Sequence, residues 1–155
     1  MTGRSGASTP VIRRATAADA TAVAEVWLRS RKASVPAIPA PVHTDDEVRA
    51  WFAEVVLLER ETWVAEVDGE VVGLLVLDGD DVDQLYVDPA MTGQGVGSRL
   101  LARAKAERPG GLELWTFQAN AGARRFYGRH GFVEAARTDG DNEERAPDVR
   151  LRWTP

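Results

Sequence analysis

Gly93-Gln94-Gly95-Val96-Gly97 is the stretch of this 155-residue chain whose residue types most directly imply chemistry. Positions without a Cβ let the backbone turn sharply and bring several N–H groups toward one anion. The stretch follows Val82-Asp83-Gln84-Leu85-Tyr86-Val87, which reads as a strand, and Asp88-Pro89, which ends that strand because proline cannot donate to a ladder. From Ser98 the pattern is helical, with Val96, Leu100, Leu101 and Ala104 on one face. Free N–H groups at a helix start, together with the positive end of the helix dipole, favour a phosphate. A P-loop would need a lysine that this loop lacks. A dinucleotide fingerprint would need its third glycine at Ser98 and a loop directly after the strand, whereas five residues follow Val87 before Gly93. What remains is a cradle built from backbone alone, suited to a pyrophosphate, against the plainer reading of a flexible turn with tight helix packing.

The composition narrows what else can happen. With no cysteine, disulfides, thiolate nucleophiles and thiolate metal sites are excluded, and only His43 and His130 carry imidazole. Catalysis must use oxygen and nitrogen groups, and no metal is expected. The formal charge of -5 argues against a nucleic-acid partner. No apolar stretch approaches the roughly 20 residues that span a bilayer, and Met1 to Pro10 lacks the apolar core of a signal peptide, so a cytoplasmic protein with no membrane partner is expected. Its length suits one domain.

The elements that must position the cradle follow from the chain in order. Residues 1–10, rich in Gly, Ser and Thr, read as a disordered tail, and residues 11–155 as the single domain. Val11 and Ile12 open a strand. Thr16 and Asp19 signal a helix start, with a stripe at Ala20, Val23, Trp27 and Ser30 and an end near Ser34. Pro36, Pro39 and Pro41 make Val35 to His43 a stiff loop that covers something. Thr44 and Glu47 form a capping box for a helix carrying Val48, Trp51, Phe52, Val55 and Val56. Two strands, Trp63 to Val67 and Val71 to Leu77, meet at Asp68-Gly69, the pair a type I′ hairpin prefers, and a tight connection at Asp78 to Asp80 leads to the central strand. After the cradle helix, Leu112 to Phe117 returns parallel to that strand. A short helix from Asn120, closed by Gly131, and a final antiparallel pair complete an α/β domain with a mixed, mostly antiparallel sheet.

Asn120, Ala123, Phe126-Tyr127 and Gly131-Phe132, following the cradle in this order, resemble the GCN5-related N-acetyltransferase family. Its members carry Gln/Arg-x-x-Gly-x-Gly/Ala and, later, Asn-x-x-Ala-x-x-Phe-Tyr-x-x-x-Gly-Phe. The resemblance is close over Thr62 to Phe132, and it departs at Thr92, where the family places Gln or Arg. It implies an acyl-CoA N-acyltransferase fold in which the central parallel pair splays apart. Pantetheine of acetyl-CoA would lie in the splay against main-chain groups around Leu85, Tyr86 and Val87. The pyrophosphate would sit on Gln94, Gly95, Val96, Gly97 and Ser98. Asn120 would touch the pantetheine arm or simply cap its helix. Tyr127 would reach the cofactor sulfur, and a phenol with an ordinary pKa of about 10 stays protonated at neutral pH and can donate to a leaving thiolate.

An attacking amine must lose a proton, and Asp81 and Asp83 share one strand face leading toward the splay. Asp83 lies nearer, acting directly or through a water, and the aspartates' plainer role is a solvated turn. The resemblance further implies that Trp27, Arg31, His43 and the loop Asp139 to Arg145, with Asn142 and Glu143, line the cleft of an amine acceptor, small molecule or peptide. The reaction expected is direct acetyl transfer in a ternary complex, the alternative being a non-catalytic acyl-CoA sensor of the same fold. A homodimer stays open.

Overall fold

The computed structural model describes residues 9–155, so the expected tail lies outside the described residues apart from Thr9 and Pro10. Seven strands form one sheet: β1 (Val11–Arg14), β2 (Glu61–Val67), β3 (Glu70–Asp78), β4 (Asp81–Val87), β5 (Leu112–Phe117), β6 (Val133–Thr138) and β7 (Asp148–Trp153). They lie in the order β1-β2-β3-β4-β5-β7-β6, and only β4 and β5 run parallel. The β2–β3 turn places Asp68 and Gly69 at φ 51° and 82°, both left-handed as a type I′ turn requires.

Helices cover both faces, and each face has its own core. Helix α1 (Ala20–Ala33), α2 (Asp45–Trp51) and the turn that follows α2 bury Val23, Trp27, Val48 and Phe52 against Leu74 and Val76. The capping box at the start of α2 forms as its sequence indicates, with Glu47 N donating to Thr44 Oγ1 (3.1 Å) and Thr44 N to Glu47 Oε1 (2.8 Å). A π-helical turn at Phe52–Val56 and a last turn at Leu57–Glu59 continue it. On the other face lie α3 (Val96–Glu107) and α4 (Ala121–Arg129), where Leu100, Leu101 and Tyr127 join Leu75, Leu112 and Val149. The first turn of α3 rests on β3 because Gly73 has no Cβ there: one added would stand 3.0 Å from Leu100 Cδ1 and 3.1 Å from Val96 Cγ1. Helix α3 begins two residues before Ser98, since Gly95 takes φ 81° and leaves Val96 free to start the first turn.

The feature that shapes the site is the parting of β4 from β5. Their parallel ladder holds one residue pair, Asp81 opposite Glu113. Beyond it β5 is carried by β7 instead, with Leu112 to Phe117 paired against Trp153 to Asp148. At the same place the β3–β4 register slips: Val76 faces Gln84 and Leu77 faces Val82, which leaves Asp83 as the extra residue of a bulge. A bulge twists and bends its strand, and here it turns β4 away from β5. Arg150 closes the narrow end of the V by bonding both Asp81 Oδ1 (Nη2, 3.2 Å) and Glu113.

Candidate active site

On the α3 side of the splay, the loop after β4 is shaped by Asp88, whose Oδ1 accepts from Ala90 N (3.0 Å) and whose Oδ2 accepts from Arg29 Nη2 (2.7 Å). The chain then passes Gly93 and Gly95, both at φ 81°, with no atom within 4 Å of where a Cβ would stand. The space in front of both glycines is open. The N–H groups of Val96, Gly97 and Ser98 lie in the first turn of α3, where an α-helix supplies no partner. Such a cradle fits an anion as extended as a pyrophosphate. Gly97 serves packing as well, because an added Cβ would meet the Phe126 ring at 3.4 Å, so α4 leans closely on α3. Val96 is buried and offers only its backbone, and Gln94 and Thr92 are exposed. The Ser98 hydroxyl is bonded to His130 Nε2 (3.1 Å), and the His130 ring packs tilted against Phe126 at 4.8 Å. Burial, with Lys105 and Arg129 nearby, holds the His130 pKa below its usual range.

Helix α4 brings Tyr127 to the same place. Its ring is buried and packs edge-on against Phe126 (5.1 Å) and Phe132 (5.4 Å). Burial, reinforced by the neighbouring Tyr86, pushes its phenol well above the ordinary range, so it stays protonated at any physiological pH. No side chain or backbone group among the described residues holds its hydroxyl. Asn120 is engaged as the cap of α4, its Oδ1 accepting from Ala123 N (3.1 Å), so its plainer role is the one seen.

On the α1 side the splay opens into a cleft of about 620 Å³ whose walls come from α1, the loop before α2, α2, β4, β5 and the β6–β7 loop. Trp27, Arg31, His43, Asp83 and Glu143 all line it. Asp83 Oδ2 accepts from Arg60 Nη1 (2.8 Å) and, more loosely, from Gln84 Nε2 (3.4 Å). Its Oδ1 has no hydrogen-bond partner among the described residues. His43 Nε2 lies 3.0 Å from Glu143 Oε2, joining the proline loop to the β6–β7 loop over the cleft. The proline loop does cover something: its Pro39 carbonyl accepts from Arg31 Nη2 (3.1 Å).

Two expectations are corrected. Asp81 stands at the closed end of the V, bound to Arg150 and away from the cleft. Asn142 is spent inside its own loop: Nδ2 donates to Ala146 O (2.7 Å) and Asp148 Oδ2 (3.1 Å), and Oδ1 accepts from Ala146 N (3.2 Å). These bonds shape the loop that presents Glu143 and Glu144. Sequence reasoning also passed over Gln84, which the bulge turns to the cleft face and which accepts from Trp27 Nε1 (2.9 Å), and Trp115 within β5. A register slip in the middle of a strand has no local signal, so Gln84 could not be found without the pairing.

Among the described residues no group of three or more His, Asp or Glu side chains is placed to hold a metal ion, and no helix is long and apolar enough to cross a membrane. Comparison with known proteins agrees with this geometry. The Acetyltransferase (GNAT) domain matches residues 59–134, which run from β2 through the cradle and Tyr127 to the start of β6. The peptidyl-lysine N-acetyltransferase YjaB of Salmonella typhimurium is 32% identical over 84% of this chain and 88% of its own length. The solution structure of apo-form YjaB from Escherichia coli superposes with TM-score 0.77 at 26% identity, over 94% of this chain and 98% of that one. The structure of yncA, a putative acetyltransferase from Salmonella typhimurium with its cofactor acetyl-CoA, gives TM-score 0.71 at 24% identity, over 95% and 94%. A splayed parallel pair with a backbone cradle and a buried tyrosine on one side and an open cleft on the other, together with a relative of this identity over most of both chains, places the protein in the GCN5-related (GNAT) family of N-acetyltransferases.

Proposed function

We propose that the protein transfers an acetyl group from acetyl-CoA to the amine of a cationic acceptor, with a lysine side chain as the foremost class. The observation that carries this reading is the splay itself: its one-pair ladder leaves the edge of β4 from Asp83 to Val87 unpaired by β5, between an anion cradle and a cleft rich in carboxylates. A strand edge with free main-chain groups accepts an extended amide-bearing arm as another strand would. Bound acetyl-CoA supplies the activated acetyl group.

The residues then divide the remaining work. The N–H groups of Val96, Gly97 and Ser98 and the α3 dipole hold the pyrophosphate without a metal or a lysine. Main-chain groups around Leu85, Tyr86 and Val87 align the arm. Tyr127 keeps a proton on its hydroxyl and donates it as a hydrogen bond to sulfur as that atom gains charge. On the cleft side Glu47, Asp83 and Glu143 favour an ammonium over a neutral or anionic group, while Glu144 faces Arg31. That ammonium must lose a proton before it can attack, and Asp83 Oδ1 is the acceptor nearest the bulge, reached directly or through a water. The peptidyl-lysine specificity of the YjaB relative supports a lysine side chain as the acceptor.

A panel of amines, including lysine peptides, incubated with acetyl-CoA and monitored for free thiol tests the proposal. Thiol release above the rate without protein is expected for lysine peptides. Release at the background rate with every amine would leave a module that binds acyl-CoA without turning it over.

A further inference from the structure

Arg31 is the only buried cation among the described residues, and its hydrogen bonding is incomplete. It sits in the last turn of α1 with 6% of its side chain exposed. Its guanidinium lies 5.0 Å from the Trp27 ring centroid and 5.9 Å from that of Phe117, within cation–π range of both. Nη2 donates to Pro39 O, Glu144 Oε2 stands 3.6 Å from the same nitrogen, within the range of an ion pair but beyond a hydrogen bond, and the Tyr86 hydroxyl lies beside the guanidinium. The Nε N–H is buried with no acceptor at all.

A guanidinium carries five N–H donors in a planar fork that matches the two oxygens of a carboxylate. Buried donors are nearly always paired, so an unpaired one in a cleft wall needs a reason. Glu144 does not supply the partner. Its loop is shaped by the three Asn142 hydrogen bonds, and from there its carboxylate approaches the fork without closing on it.

We propose that Arg31 reads a carboxylate on the acceptor, which takes the place of Glu144 on the guanidinium and completes its hydrogen bonding. This rests on the reading of the cleft as the acceptor site. The acceptor is then dipolar, with its ammonium toward Asp83 and its carboxylate on Arg31, both of which line the one cleft. Exchanging one carboxylate for another leaves the charge around Arg31 unchanged. The ligand carboxylate has two sources, a terminal carboxylate beside the reacting lysine or an acidic side chain next to it in a peptide.

Two pairs of probes separate these sources: Nα-acetyl-lysine against its amide, and a blocked peptide with Glu beside the lysine against the same peptide with Gln. Each is titrated calorimetrically into the protein saturated with CoA, which allows no turnover. The carboxylate member of at least one pair should bind about tenfold tighter or better, as expected for a charge-assisted fork. Arg31→Gln should erase that preference, and Arg31→Lys, which keeps the charge but not the fork, should restore only part of it. Equal binding within both pairs overturns the proposal, and so does the absence of binding by all four probes. Because Arg31 is buried, Glu144→Gln serves as the second variant. By removing the competing carboxylate it should tighten the carboxylate probes several-fold and leave the amides unchanged, whereas equal weakening of all four would make Glu144 the acceptor contact and overturn the assignment. Thiol release with no preference between acid and amide would likewise sink the role of Arg31 while leaving acetyl transfer intact.

Discussion

The two sides of the splay are built by opposite means. The α3 side is made of backbone: two left-handed glycines, a helix start and an unpaired strand edge, all between Asp81 and Ser98, with Tyr127 added from α4. The α1 side is made of side chains from at least five separate segments, among them Trp27, Arg31, His43, Asp83, Trp115 and Glu143. A backbone cradle beside a free strand edge holds the pyrophosphate and arm that acyl-CoA donors share and tolerates wide variation in side chains, whereas a side-chain cleft can change its ligand with one substitution. The first suits a shared donor and the second a particular acceptor.

The largest effect should come from the one side chain that the donor side needs. Tyr127→Phe removes a hydroxyl and almost no packing, so turnover should fall by about 10²- to 10⁴-fold while CoA still stabilises the protein. Steady-state kinetics beside thermal melts decide this, and unchanged turnover with a slow chemical step would remove Tyr127 from the mechanism.

Next is the cradle. CoA or acetyl-CoA at 100 times its dissociation constant should add about 2.7 kcal/mol of stability, and Gly95→Glu should abolish that gain. A side chain there is strained at φ 81°, and its carboxylate would enter the open space in front of the α3 N-terminus. An equal melting shift from ATP, or a shift that survives the substitution, would show that the donor side is not built as described. Gly97→Glu is the less clean probe, since it also pushes against Phe126.

On the acceptor side Asp83→Asn keeps the shape and removes the acceptor charge. The rate should fall most at low pH and recover as the pH nears the amine's own pKa of about 10, where free amine forms without help. A wild-type pH profile would pass the proton to a water held by other groups.

The smallest effect is expected at His130. Its pKa in the folded protein is held below the unfolded value of about 6.5, so the unfolded chain binds more protons as the pH falls through that value, and stability is lost. His130→Gln should therefore show a shallower drop in Tm on acidification than the parent. A parallel drop would assign the acid sensitivity to other groups.

Much of the domain was legible because its signals are local. The Asp68-Gly69 turn, the Thr44–Glu47 box, the cradle and the Asn120 cap each depend on residues a few positions apart, and all four form as their residue types require. Asp81 and Asp83 look alike in sequence, sharing a strand and a face. They part only because Arg150, 69 residues from Asp81, closes one end of the V, while a bulge puts Asp83 in the other. Asn142 likewise reads as a polar loop residue free to meet a ligand until Asp148 and Ala146 are seen to occupy it.

The sequence by itself determined the anion cradle, the tyrosine beside it and the order of strands, because backbone conformation and hydrophobic period are written in neighbouring residues. Only the tertiary structure decided which carboxylate faces the acceptor, which buried cation beside it keeps an unfilled donor and which loops close over both. Those properties belong to contacts between residues up to 100 positions apart, such as His43 with Glu143. Such contacts arise only when the sheet has been bent at one bulge and the helices packed on its two faces.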